Sequence, residues 1–339
     1  MRKLDRSFSL LIVLIAVLLT FGGIMSGGGY LSLFNLQSMT NQVPEIGLLA
    51  IGVMLAMCAG EGGIDLSGIA MANLAGVASG LFALSLFPVN EMPVAFTITF
   101  VVGCLVVGTA GGILNGFIIS KMGITPILCT LGTQMFFTGI TVVLSDGRAV
   151  RIGAPGPLYE MGNGFLLGVP WSFVLFILVA VVLGVVLRFT RYGVKLMMTG
   201  SNQKAAAFSG FAHGRIIITT YGISGLLAGL SGAIIAARNV NVKWDYGTTY
   251  LLVAILIAVM AGVKPEGGYG RVVNVVLSAI VLQLMTSLLN FIGLSNFVRD
   301  LAWGAMLIFF LFVNRLALVE HFAVLFASVQ SPRASKSQS

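Results

Sequence analysis

The amino-acid sequence predicts an all-α polytopic membrane protein of about ten transmembrane helices, with both termini in the cytoplasm. Three observations predict it. Of 339 residues, 58% are hydrophobic and only 9% charged, with a mean hydropathy of +1.02, whereas soluble domains run about 25% charged. The apolar residues are gathered into runs of roughly span length, and the basic residues segregate to one side of those runs. In water such a chain would leave large apolar patches exposed; in a bilayer, lipid solvates them.

The runs fall at about 8–25, 43–60, 64–87, 94–119, 124–145, 165–187, 216–237, 250–263, 272–292 and 297–315. The first follows Arg2, Lys3 and Arg6 and imitates a secretory signal. No small-residue cleavage site follows in GGIMSGGGY, so an uncleaved span is expected after a short cytoplasmic segment, 1–7. The junction of the second and third runs is interrupted by CAGEGGIDLSG, and the eighth run is short. Between the fifth and sixth lies a Gly- and Pro-rich exterior connection, DGRAVRIGAPGPLYEMGNG, 146–164. Between the sixth and seventh lies the longest interior connection, 188–215. No connection is long enough to bury a core of its own. The transmembrane domain therefore occupies 8–318, and 319–339 is a cytoplasmic tail whose polar end, SPRASKSQS, is expected to be disordered.

Orientation follows from charge. With the N-terminus inside, Arg2, Lys3, Arg6, Lys121, Arg188, Arg191, Lys195, Lys204, Arg215, Lys264, Arg271, Arg315, Arg333 and Lys336 are cytoplasmic. Only Arg148, Arg151, Arg238, Lys243 and Arg299 stay outside. The reverse topology would violate the positive-inside bias.

Several function classes are excluded or disfavoured. The net charge of +8 is scattered, with no basic patch interleaved with aromatics, so no nucleic-acid partner is expected. Cys58, Cys104 and Cys129 lie in apolar runs at no metal-type spacing and read as buried helix residues. His213 and His321 are expected to be solvated or interfacial. No Gly-Lys pair occurs, hence no phosphate-binding loop, and no metalloprotease or nucleophile-elbow motif is present. Transport without its own energy chemistry is the natural reading.

Small residues recur every four positions at Gly108, Gly112 and Gly116, and at Gly68, Ala72, Gly76 and Gly80. Both rows read as tight helix–helix seams. In the interior connection, TGSNQKAAAFSGF places three alanines after Ser201 and Asn202, which can cap. It reads either as a short amphipathic surface helix or as a re-entrant loop.

The stretch AGEGGIDLSG, 59–68, is the polar anomaly. An ionised Asp at a helix centre costs about 2.5–3.5 kcal/mol on insertion scales, so residues 60–67 are expected at a helix junction, where Gly60, Gly62 and Gly63 let the backbone turn. Asp65 and Ser67 are expected to cap the third span. Asp65 either only caps or also lines a route or transmits motion. Asn73, Asn115, Thr130, Thr133 and Gln134 are intramembrane polar residues that bond either a passing polyol or a neighbouring helix.

Four ordered stretches carry a resemblance. AGEGGIDLSG, ITPILCTLGTQMFFTGITVVLSDGR, TGSNQKAAAFSGF, and GLLAGLSGAIIAAR with AGVKPEGGYGR behind it resemble, over about 40–315, permease subunits of ribose-type bacterial ATP-binding-cassette (ABC) sugar importers. The chain departs from the pattern at Gly68-Ile69-Ala70-Met71 and at Lys264-Pro265-Glu266. The resemblance implies an ABC importer permease fold of about ten helices in the inner membrane, paired with a second permease copy or a paralogue. It also implies cytoplasmic ATPase subunits, which use ATP and magnesium, and a periplasmic substrate-binding protein. This chain itself is then expected to bind no cofactor and no metal. The interior loop would be the coupling helix, carried by Gly200, Asn202, Ala205, Ala206, Ser209 and Gly210, with Ala206 and Gly210 expected to tolerate no bulk at the docking contact. The rival is a self-sufficient secondary carrier or channel. Such a carrier would usually show intramembrane acids; here the acids other than Asp65 are expected near span ends.

Overall fold

A computed structural model describes residues 6–295 and 297–313. Its main helices are α1 (Arg6–Met25), α2 (Leu33–Cys58), α3 (Gly68–Leu86), α4 (Pro93–Met122), α5 (Pro126–Ser145), α7 (Trp171–Phe189), α10 (His213–Asn239), α11 (Tyr250–Met260), α12 (Val272–Phe291) and α13 (297–313). Each of the ten expected runs holds a helix, and among the described residues eight helices are long and apolar enough to cross a membrane. α11, with 11 residues, rises only about 16 Å, half the ~30 Å hydrocarbon core. Irregular chain flanks it at 243–249 and 261–271.

Some boundaries differ from those expected. α1 already includes residues 6 and 7. The sixth span begins at Trp171, because 165–170 forms a two-residue hairpin of β2 (Phe165–Leu166) and β3 (Val169–Pro170). Ahead of it, β1 (Val150–Arg151) pairs antiparallel with β4 (Asn241–Val242), and α6 (Gly156–Asn163) lies on the end of α10. Asn163 Nδ2 donates to the Ala237 carbonyl there at 3.2 Å. The second span starts ten residues before the expected 43, at Leu33, where Ser32 caps it by accepting from Asn35 N–H. Residues 1–5, the tail 319–339 and His321 lie outside the described residues.

α2 and α10 form the centre, with 89% and 78% of their most apolar windows buried, against 11% for α1 and 17% for α7. α10 is admitted there by its glycines. A Cβ on Gly112 of α4 would strike the Tyr221 carbonyl and lie 2.9 Å from Gly225 Cα; one on Gly108 would strike the Gly225 carbonyl. The row Gly108–Gly112–Gly116 is thus a backbone-to-backbone seam with α10, as its spacing implies. One turn further along the same face of α10, Gly232 meets the Ala72 carbonyl of α3. Cys58, Cys104 and Cys129 are free and buried.

Candidate functional site

The junction between α2 and α3 is irregular backbone from 59 to 67. Gly60, Glu61 and Gly62 have φ of +88°, +57° and +68°, a left-handed run that costs little at glycine and more at Glu61. Asp65 lies at this junction, not within a span, and is 1% exposed. Three donors converge on its carboxylate. Ser67 N–H and Ser67 Oγ reach Oδ1 at 3.0 and 2.7 Å, and Ser224 Oγ of α10 reaches Oδ2 at 2.6 Å. Asn115 Nδ2 of α4 donates to Ser67 Oγ at 2.8 Å. No Lys, Arg or His bonds Asp65 among the described residues, so hydroxyls, an N–H and the start of α3 hold the group.

The capping expectation is corrected here. Ser67 occupies the N-cap position of α3 but its side chain caps nothing; its hydroxyl turns to Asp65 instead. The one backbone N–H that Asp65 accepts is that of Ser67, ahead of the helix. What the pair does is clasp the break to α10 and α4.

The other intramembrane polar residues separate. Thr130 Oγ1 of α5 donates to the Ile64 carbonyl at 3.0 Å and so joins the junction. Thr133 turns back to the Thr130 carbonyl at 3.3 Å. Asn73 lies elsewhere, donating to the Trp244 and Tyr246 carbonyls at 3.0 and 2.9 Å and pinning α3 to the exterior segment before α11. Gln134 is half-buried with no side-chain hydrogen bond among the described residues.

The interior connection forms two helices, α8 (Arg191–Ser201) and α9 (Gln203–Phe208). The cap expected of Asn202 is present: its Oδ1 accepts from Ala205 N–H at 3.0 Å. At the other end Ser209 is the C-cap. Phe211 N–H then reaches the Ala206 carbonyl at 3.1 Å and Gly210 N–H the Ala207 carbonyl at 3.0 Å. That is a Schellman closure, which needs the left-handed φ of +77° at Gly210. His213, expected to be solvated or interfacial, is half-buried, opens α10 and bonds the Gln203 side chain at 2.8 Å.

Within this chain, small residues at 206 and 210 have causes of their own. Ala206 is 2% exposed within this chain, so its size is set by its own fold. A Cβ added at Gly210 would meet nothing within 4 Å, so glycine is required there by conformation. The outward feature is Phe208, 94% exposed. The sequence does not single it out, because an aromatic in an apolar chain carries no signal by itself.

Sequence reasoning also missed how α8 meets the junction. A Cβ on Gly200 would strike the Cys58 carbonyl and lie 2.7 Å from Gly268 N. A Cβ on Gly60 would lie 2.9 Å from the Gly200 carbonyl, and one on Gly267 2.5 Å from Gly60 Cα. Gly268 N–H donates to the Cys58 carbonyl at 3.1 Å, and Gly62 N–H to the Pro265 carbonyl at 3.2 Å. Three chain segments thus meet backbone to backbone: the end of α8, the break after α2 and the 261–271 turn. One ion pair was also missed. Glu45, 2% exposed, sits well inside α2 and binds Arg238 of α10 at 2.8 Å, with Tyr250 donating to it at 3.3 Å. The expectation that acids other than Asp65 lie near span ends fails at Glu45, because α2 starts earlier than its hydropathy shows.

Comparison with known proteins agrees with this architecture. A family model described as branched-chain amino acid transport system / permease component matches residues 35–312. The ribose import permease protein RbsC of Bacillus subtilis is 29% identical over 288 residues, 84% of this chain and 86% of that protein. The autoinducer 2 import system permease protein LsrD of Photorhabdus temperata is 27% identical over 321 residues, 93% and 92% of the two chains. The D-allose transport system permease protein AlsC of Escherichia coli is 28% identical over 306 residues, 89% and 90% of the two. No solved structure matches.

Proposed function

The chain belongs to the family of branched-chain amino acid transport system permease components, and on that premise we propose that it is the membrane-spanning subunit of an ABC importer for a monosaccharide or similar polyhydroxylated solute. The relatives named for ribose, allose and autoinducer 2 import support the solute class. Separate ATPase subunits supply the energy from ATP and magnesium, a binding protein delivers the solute outside, and a second permease, copy or paralogue, completes the pore in the bacterial inner membrane.

One observation carries the coupling part of this reading. α9 offers an exposed aromatic, Phe208, while the base of the same loop, Gly200, is locked against the break that holds Asp65. A push on α9 is therefore delivered to the α2–α3 junction through backbone contacts, with no flexible side chain between. Interiors packed at this density transmit displacement instead of absorbing it.

The test is reconstitution. The subunit alone in liposomes hydrolyses no ATP and concentrates no solute; with its ATPase and binding protein it concentrates sugar only when ATP is supplied. Uphill uptake by this chain alone on a proton or sodium gradient would overturn the importer reading in favour of a carrier.

A further inference from the structure

α2 and α12 each carry a polar stripe at the end that charge bias assigns to the outside. On α2, Asn35, Ser38 and Gln42 are spaced three and four apart; on α12, Gln283, Ser287 and Asn290 are spaced four and three apart. Each set occupies one helix face. The two faces line a single cavity of ≈ 360 Å³, room for about a dozen waters at ~30 Å³ each and within the ~300–1,000 Å³ range of small-molecule sites. Ser287 Oγ donates across it to Asn35 Oδ1 at 3.1 Å. Met39 and Phe291 supply its apolar wall. Ser38 and Asn290 are exposed at the mouth, whereas Gln283 is 6% exposed. The Gln283 amide, which lines the cleft, makes no hydrogen bond among the described residues.

We propose that this cleft between α2 and α12 is a solute-binding station on the outer side of the pathway, and that it accepts a neutral polyol and not an amino acid. The assignment rests on the importer reading for its role in transport. None of the eight lining residues is ionisable, so a zwitterion would leave both of its charges unpaired, at several kcal/mol by desolvation arguments. Amides and hydroxyls instead give paired donors and acceptors to vicinal hydroxyls, and Phe291, part of the lining, adds apolar surface for the C–H side of a sugar. The family's description names amino acids while the relatives' names include sugars; the lining chemistry sides with the relatives.

The experiment uses right-side-out membrane vesicles from a host expressing the full importer. Gln283→Cys is labelled with a membrane-impermeant maleimide in the presence of D-ribose, D-allose or L-leucine. Cys58, Cys104 and Cys129 are all buried, so labelling reports the introduced thiol. Protection by one of the sugars and none by leucine is expected. In parallel, the Gln42→Leu/Gln283→Leu pair lowers uptake about tenfold or more while ATP hydrolysis by the complex continues. Labelling indifferent to both sugars, protection by leucine, or wild-type uptake by the leucine pair overturns the station. If sugars protect but the wild-type vesicles show no ATP-driven uptake, the station stands and the importer reading falls.

Discussion

Ser224 Oγ donates to Asp65 Oδ2 at 2.6 Å, joining residues 159 positions apart in the chain. This bond ties the end of the α2 break to the central helix α10, and with the Ser67 bonds it leaves the carboxylate satisfied without a cation. Ser224→Ala removes one charge-assisted donor from a buried site and should cost about 1.5–3 kcal/mol of stability. Asp65→Asn should cost less, because Oδ1 still accepts from Ser67 and the Ser224 hydroxyl can rotate to accept from the new amide. Thermal unfolding in detergent should order the two variants that way. In the assembled importer Asp65→Asn should assemble normally and lose uptake several-fold; full wild-type uptake would remove any role for the charge.

The glycine contacts separate conformational strain from contact. Gly267 and Gly123 both have left-handed φ, +92° and +67°. Only Gly267 would bring a Cβ against another segment; at Gly123 nothing lies within 4 Å. Gly123→Ala should therefore cost only about 1 kcal/mol, the penalty for L-residues in that region. Gly267→Ala should in addition pry the 261–271 turn from Gly60, leaving a complex that hydrolyses ATP but no longer moves solute. Equal behaviour of the two variants in coupled uptake assays would mean the contact transmits nothing.

Glu45 and Arg238 form an ion pair 2% and 24% exposed. Removing one partner strands a charge inside the protein, which typically costs about 3–5 kcal/mol. Arg238→Met, and to a lesser degree Glu45→Gln, should lower yield and melting temperature. The double variant should recover much of the loss, as a neutral pair needs no partner. A double variant as damaged as the sum of the singles would show that the residues act independently.

Much of this was legible in the sequence. Ten helices and the small-residue seam at Gly108, Gly112 and Gly116 follow from hydropathy and spacing. The break at 60–67 follows from the cost of Asp65 inside a span. The first three turns of α2 were not legible: Asn35, Ser38 and Gln42 lower the local hydropathy below that of a span, and they do so because they face a cavity and not lipid. Glu45 was misplaced for the same reason. The meeting of Gly60, Gly200 and Gly267 left no trace in spacing, since these residues stand 140 and 67 positions apart along the chain and are brought together only by the fold.

α9 gives a graded series. Asn202→Ala should cost about 1 kcal/mol of local helix stability and Asn202→Asp almost nothing, since Asp caps as well as Asn. Backbone amide exchange at Ala205 reads both. Ala206→Glu buries a charge within this chain, so it should damage the permease itself, seen as lost expression before any effect on partners.

The central claim is that α9 receives the stroke of an ATPase and hands it to the Asp65 junction. The most direct test places a photo-crosslinking amino acid at Phe208 in the assembled importer, with a second at Phe189, also cytoplasmic by the charge bias and 72% exposed but outside α9. Expected are an ATP-state-dependent crosslink from 208 to the ATPase subunit, a much weaker one from 189, and loss of coupled uptake in Phe208→Ser with the permease still in the membrane. Crosslinks of equal yield from both positions, or none from 208 in an importer that transports normally, would contradict it.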